Sequence, residues 1–137
     1  LKRFEERAAL IEKQYGGYTV SGGVHLKGKL VEGEAAADLG GLTIAYKTLE
    51  ASLKDKPRTR DANGFTPEQR FFLSFAQAWA TKYRPEMEKL MANTNPHPTA
   101  NFRVNGTVAN MGSFEKAFAA EGACKMMLPK EQRCNLW

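Results

Sequence analysis

Apolar side chains recur along this chain at helical intervals. The first set is spaced by four, three and four positions, which places its members on one face of a helix. It consists of Phe4, Ala8, Ile11 and Tyr15. Gly16-Gly17 then ends the helix. Residues 18–32 hold a Tyr-Thr-Val segment and a glycine-punctuated stretch, which favour irregular or weakly extended structure.

A longer helix is predicted over residues 34–53, which are strong helix formers. Apolar residues recur there every three or four positions. They are Leu39, Leu42, Tyr46, Leu49 and Leu53. Gly40-Gly41 interrupts this run at a cost of about 1 kcal/mol per glycine relative to alanine. We therefore expect close packing against a neighbour at that point.

A third helix has a well-formed start. Thr66 is a suitable cap, Pro67 fits the first helical position, and Gln69 completes a capping box. The apolar face of this helix consists of Phe72, Phe75, Ala76 and Trp79. Phe72 and Phe75 on this face are typical of a packed core.

Two shorter helices are predicted farther along the chain. One begins at Pro85 and runs to about residue 92, and the other covers 114–120 with Ser113 as its cap. The hydrophilic stretch 54–64 is predicted to be a solvated loop. Since neither a repeat nor a linker divides the sequence, we expect residues 1–137 to form a single, mainly α unit.

The charge of the chain invites a nucleic-acid interpretation, because its formal net charge is +5 and its pI is about 9.3. The basic residues do not form a continuous stripe, since acidic residues interleave with them. A surface that follows phosphates requires such a stripe or aromatic stacking platforms. The sequence therefore predicts no nucleic-acid partner. The longest apolar stretches are too short to span a bilayer.

Two acidic residues and one histidine are candidates for chemistry. Glu34 and Asp38 are four residues apart, which places both carboxylates on one helical face. One of them can ligate a metal while the other orients a ligating histidine. By spacing alone, such a pair is more often a solvated helix face or a helix start than a metal site. His97 lies between two prolines, in a loop that leaves its ring free to project or simply to pack.

Two longer segments give the chain a family resemblance. Residues 33–42 read Gly-Glu-Ala-Ala-Ala-Asp-Leu-Gly-Gly-Leu, and residues 95–106 read Asn-Pro-His-Pro-Thr-Ala-Asn-Phe-Arg-Val-Asn-Gly. In order and spacing they resemble the C-terminal catalytic portion of the neprilysin family of zinc metallopeptidases. The resemblance extends over essentially the whole chain. It implies a mainly α fold, the helical C-terminal part of a zincin-type catalytic domain.

The resemblance also implies a role for each candidate residue. Glu34 is expected to be the third zinc ligand, and Asp38 is expected to orient a ligating histidine. His97 is expected to stabilise the tetrahedral oxyanion, and Arg103 to hydrogen-bond a substrate carbonyl. These side chains suit such roles, since a ring N–H lowers a barrier when it faces developing negative charge and a guanidinium offers two donors in one plane.

Further positions match the family less closely. Trp79 matches a tryptophan that lines a hydrophobic pocket for the prime side of the substrate, and Ala78 stands where valine is common. Asn95 stands where many relatives carry aspartate, so the electrostatic tuning of His97 is expected to differ here.

The two cysteines, Cys124 and Cys134, have nine residues between them. In an exported protein they are able to form a local bridge, and in a reducing compartment they are ordinary thiols. The resemblance does not choose between these alternatives, because two cysteines often found in the family correspond to Leu10 and Ala120 here.

One family motif is missing from the sequence. The only histidines are His25 and His97, so no His-Glu-x-x-His occurs, although in the family that helix supplies two metal ligands and the general base. The chain begins at Leu1 inside an amphipathic pattern, and we expect the true N-terminus to lie elsewhere.

The resemblance therefore implies that this chain is part of a zinc endopeptidase or oligopeptidase that acts on peptides outside the cytoplasm. The remainder of the polypeptide would complete the site, and the isolated chain would neither hold zinc tightly nor cleave peptides. A membrane anchor in the complete protein is left open. The alternative is a relative that has lost catalysis and binds peptides or proteins through this helical lobe.

Overall fold

The computed structural model describes residues 2–118 and 125–136. Within these ranges the chain forms six α-helices, which are α1 (Lys2–Gly16), α2 (Gly28–Ser52), α3 (Pro67–Ala78), α4 (Pro85–Thr94), α5 (Ala100–Val108) and α6 (Gly112–Phe118). Two short strands, β1 (Thr19–Val20) and β2 (Val24–His25), pair in antiparallel register on either side of a 3₁₀ turn. A second 3₁₀ turn covers Lys130–Gln132. The prediction of a mainly α fold is confirmed.

Several predicted helix boundaries are confirmed. Helix α1 ends at Gly16, and α3 begins with the complete capping box. In that box the Gln69 backbone N–H donates to Thr66 Oγ1 (3.3 Å) and the Thr66 N–H donates to Gln69 Oε1 (2.9 Å). Residues 54–64 form turns and irregular structure, as predicted. Helix α4 begins at Pro85 and extends two residues beyond the predicted end.

Two predictions about helices are wrong, and one helix was not predicted. Helix α2 begins at Gly28, six residues before the predicted start, because Val31 is fully buried and extends the apolar face backwards. The last helix begins at Gly112, so Ser113 lies inside its first turn and is not its cap. Helix α5 was not predicted. The predicted end of the last helix at Ala120, like Cys124, lies outside the described residues.

The core forms where α1 and α5 pack against α2, while α3 packs against α6. Its largest fully buried side chains include Tyr15, Ile11 and Val31. Aromatic contacts connect the two halves, since the Phe72 ring lies 5.3 Å from Tyr46 of α2 and 5.2 Å from Phe114 of α6. In the described part of the chain, no helix has the length and apolar character needed to cross a membrane.

Close backbone packing occurs at Gly28 and Gly106. A Cβ atom on Gly28 would lie 2.1 Å from the Glu12 carbonyl oxygen, and one on Gly106 would lie 2.6 Å from the Tyr15 hydroxyl. At Gly41, by contrast, an added Cβ atom would have no described neighbour within 4 Å outside its own helical turn. The expected close packing at the glycine pair is therefore wrong for Gly41, although Gly40 is buried.

Replacing Gly28 by alanine should destabilise the complete protein, because the crossing of α1 and α2 would have to open. Overpacking of this kind costs about 1–3 kcal/mol. Gly41→Ala is the matched comparison, and it should stabilise by up to about 1 kcal/mol through helix propensity. Urea unfolding of both variants checks the prediction. Equal stability of Gly28→Ala and the parent would contradict the tight crossing.

Candidate active site

Helix α2 carries both candidate carboxylates, and both approach Arg103. They therefore lie on one face of the helix, as their spacing predicts. Their surroundings differ, because the Asp38 side chain is 11% exposed and the Glu34 side chain is 41% exposed. Asp38 is therefore largely enclosed by the protein, whereas Glu34 remains accessible to a ligand.

Arg103 of α5 is fixed on two sides. Its Nε donates to Asp38 Oδ2 (2.7 Å) and its Nη2 donates to Asp38 Oδ1 (2.6 Å), which is the bidentate geometry of a strong ion pair. The hydrogen bonds that Arg103 donates to Asp38, together with the negative charge of Asp38, raise the pKa of Arg103. The Trp79 ring lies against the guanidinium, with the guanidinium carbon 4.0 Å from the ring centroid. The pair joins α2 to α5 across 65 positions of sequence.

Helix α5 is held against α1 by residues that sequence analysis did not assign to the site. The Tyr15 hydroxyl donates to the carbonyl of Phe102 (3.3 Å), and the Tyr18 ring stacks on the Phe102 ring with centroids 4.6 Å apart. Gln14 donates to the carbonyl of Gly106 (2.8 Å). Burial raises the pKa of the Tyr15 phenol. The sequence indicated only that Tyr15 lies on the apolar face of α1.

His97 lies in the loop between α4 and α5, as its flanking prolines predict. Its backbone N–H donates to Asn95 Oδ1 (2.9 Å), and its ring Nδ1 lies 3.0 Å from the same oxygen. The ring points Nε2 at Glu34 Oε2, 3.1 Å away. Amide and carboxylate oxygens only accept hydrogen bonds, so each ring nitrogen of His97 is the donor in its contact when it carries a proton. Pro98, the next residue of the loop, is fully buried and anchors the loop at that point.

The fold thus brings five of the six predicted site residues into one contact network. They are Glu34, Asp38, Trp79, His97 and Arg103. Ala78 lies beside Trp79 at the exposed end of α3. Asn95, which stands where many relatives carry aspartate, contacts the backbone and the ring of His97 through a neutral amide.

Comparison with known proteins identifies the family. The model of peptidase family M13 matches residues 1–134. The chain belongs to peptidase family M13.

Relatives in this family match nearly the whole chain. The chain is 36% identical to Neprilysin-3 of Drosophila melanogaster and 35% identical to human Neprilysin, with 100% and 98% of this chain covered. The M13 chain also superposes on the crystal structure of the Mycobacterium tuberculosis zinc metalloprotease ZMP1 in complex with an inhibitor, with a TM-score of 0.91 and 33% identity over 99% of this chain. The predicted fold, a helical part of a zinc metallopeptidase catalytic domain, is confirmed.

The M13 chain spans only a small share of its relatives. It covers 17% of Neprilysin-3, 18% of human Neprilysin and 22% of the ZMP1 chain. The remaining segments of an M13 protein of that length therefore lie outside this sequence.

ZMP1 is described as a zinc metalloprotease. We therefore asked whether the side chains of the M13 chain could bind a zinc ion. Catalytic zinc sites take three protein ligands and one open position. In residues 2–118 and 125–136, no three His, Cys, Asp or Glu side chains come together to hold a metal. Glu34 offers an exposed carboxylate, whereas both oxygens of Asp38 accept from Arg103. Among the described residues, Glu34 therefore fits one ligand position of such a site, and the other two protein ligands are not present.

Proposed function

We propose that this chain is part of an extracytoplasmic zinc endopeptidase or oligopeptidase that hydrolyses peptide bonds. The observation that carries this proposal is the convergence of Glu34, His97 and Arg103, in which one carboxylate oxygen of Glu34 lies 3.1 Å from His97 Nε2 and 3.9 Å from Arg103 Nη2. These are a metal-ligating oxygen, an imidazole donor and a guanidinium, gathered from three elements of a family M13 chain.

Glu34 would hold the zinc ion together with two ligands from a segment outside this sequence. When bound, zinc lowers the pKa of its water and polarises the peptide carbonyl. A general base is also required, and we expect it from the same outside segment, in a His-Glu-x-x-His helix. The exposure of Glu34 leaves it accessible to such a partner.

His97 would donate a hydrogen bond to the oxygen that becomes negative when the peptide carbonyl is attacked. Such a donor acts chiefly on the transition state, because the charge develops only there. The contacts with Asn95 hold the ring in one orientation before substrate arrives. A preorganised donor does not have to reorient during the reaction.

Arg103 would bind a backbone carbonyl of the substrate. A guanidinium has five N–H donors, and Asp38 accepts two of them, so the others remain for substrate. Asp38 thereby fixes Arg103, and each of its oxygens retains a lone pair for the ring N–H of a ligating histidine. Trp79 stacks on Arg103, and with Ala78 it would border the pocket for an apolar substrate side chain.

Changing Arg103 to lysine in the complete enzyme tests this assignment. The parent should cleave an internally quenched nonapeptide, lose activity with a chelator and regain it with zinc. Lysine keeps the charge but loses the planar donors that meet Asp38 and the substrate. We expect kcat/KM to fall at least tenfold, or about 1.4 kcal/mol, with zinc content unchanged.

Arg70 offers the matched control, because it is an exposed arginine on α3 whose nearest acidic contact, to Asp61, is 3.8 Å. Arg70→Lys should retain the parental kcat/KM. Unchanged efficiency in Arg103→Lys would remove Arg103 from the site. A parent that binds the peptide without cleaving it would instead support a catalytically inactive binding lobe.

A further inference from the structure

Helix α4 leads directly into the loop that carries His97, yet it buries little apolar surface. Among its residues only Ala92 is buried. Met87 and Leu90 are 47% and 56% exposed. Apolar packing therefore contributes little to the orientation of α4 within the described structure, and its polar contacts carry a larger share.

Those polar contacts come from the turn between β1 and β2 and from Lys27, the residue just before α2. Glu88 Oε2 accepts two hydrogen bonds from Ser21, one from the backbone N–H (3.2 Å) and one from Oγ (2.5 Å). Lys27 Nζ donates to the Asn93 carbonyl (2.9 Å) at the other end of α4. The turn fits closely against the helix, since a Cβ atom on Gly22 would lie 2.7 Å from the Lys89 side chain.

The end of α4 is connected to His97 by further hydrogen bonds. The Asn95 N–H donates to the Met91 carbonyl (2.9 Å), which fixes Asn95 on the last turn of the helix. Asn95 Oδ1 then accepts from the backbone N–H of His97 and contacts its ring Nδ1. The orientation of the ring is thereby coupled to the orientation of α4.

The contacts of Glu88 with Ser21 affect the position of Asn95 through helix α4. Asn95 lies seven positions after Glu88, which corresponds to about 10 Å along a helix. Because α4 is a continuous helix, a displacement of α4 by about 1 Å after loss of the Glu88 contacts would carry Asn95 with it. Misplacement of a reacting group by about 1 Å is sufficient for a hundredfold loss of rate.

We propose that Glu88 and Ser21 form a clamp that positions His97 for catalysis. Glu88 is a positioning residue, because it acts through α4 and Asn95 and does not touch the substrate. The proposal rests on the oxyanion role that the proposed function gives His97. It is separate from a helix-dipole effect, because Glu86 lies in the same first turn of α4 without contacting Ser21.

A double-mutant cycle in the complete enzyme tests the clamp. Its corners are the parent, Glu88→Ala, His97→Ala and the double variant, assayed with an internally quenched nonapeptide. Glu88→Ala should lower kcat at least fivefold in the parent, and it should cause no further loss in the His97→Ala background. Glu88→Gln, which keeps a carbonyl acceptor for Ser21, should recover most of kcat. Glu86→Ala is the control for the dipole and should match the parent.

The outcomes separate the clamp from the proposed function. If Glu88→Ala lowers kcat by the same factor in both backgrounds, or leaves kcat of the parent unchanged, the clamp is wrong while His97 keeps its role. If His97→Ala alone leaves kcat unchanged, the oxyanion role is wrong, whatever Glu88 does. A loss that comes from unfolding would be seen as a lower melting temperature and as a failure of Glu88→Gln to recover activity, and this result would also overturn the clamp.

Discussion

Replacing Glu34 by alanine in the complete enzyme should abolish zinc retention and peptide cleavage together. Glu34 is the exposed carboxylate of the candidate site, and the described residues contain no cluster of three metal-binding side chains that would replace it. Partners that merely orient metal ligands contribute 10–100-fold to affinity. Loss of a ligand should therefore weaken zinc binding by more than about 100-fold. Metal analysis after dialysis and a cleavage assay measure both effects.

Glu32 supplies the control for this experiment. It lies on the same helix, but it pairs with Lys29 at 2.9 Å, away from His97. Glu32→Ala should retain stoichiometric zinc and parental activity. The isolated 137-residue chain is the third sample, and it should show neither tight zinc nor cleavage because one carboxylate does not complete a catalytic site. Full zinc in the Glu34→Ala enzyme, or cleavage by the isolated chain, would contradict the assignment.

Local features of the sequence predicted those parts of the fold that depend on neighbouring residues. The capping box at Thr66 and Gln69 is an interaction over three positions, and both of its hydrogen bonds form. Gly16 ends α1 for the same kind of local reason. The spacing of Glu34 and Asp38 was informative because the helix that carries them is long and its buried residues recur at helical intervals. A helical period then places both carboxylates without knowledge of the rest of the chain.

Helix α5 was missed because its stability depends on distant contacts. Its residues include Asn101, Asn105, Gly106 and Thr107, all of which have low helix propensity. What holds this helix is the packing of Gly106 on Tyr15 and the ion pair of Arg103 with Asp38. These contacts join residues that are 65 or more positions apart, so no local pattern reveals them. The contact of Glu34 with His97 is not predicted by any local sequence pattern, because these two residues are also far apart in the chain.

The ion pair also explains why the two carboxylates of α2 are not interchangeable. Asp38 is nearly buried and both of its oxygens accept from Arg103, so its charge is compensated within the chain. Glu34 is nearly four times as exposed and contacts Arg103 only at 3.9 Å. A cation that enters this site meets Glu34 as the available anionic donor. The sequence spacing alone does not distinguish the two residues, whereas the position of α5 does.

Replacing His97 by alanine in the complete enzyme should lower kcat by about 100-fold, which is the loss typical of a removed oxyanion donor. KM should change much less, because the donor acts on charge that develops only in the transition state. Zinc content should stay at the parental level, since His97 is not expected to be a metal ligand.

The second histidine of the chain is the matched control for that variant. His25 lies on β2 and is exposed, and among the described residues its ring has one hydrogen-bond contact, between Nδ1 and the Gly16 carbonyl (3.2 Å). His25→Ala should therefore leave kcat and KM at parental values, and melting curves should show that both variants are folded. The distinction between kcat and KM decides the role of His97, because a residue that only binds the ground state changes KM. A folded His97→Ala enzyme with parental kcat and a raised KM would show that His97 contacts the substrate without stabilising the oxyanion.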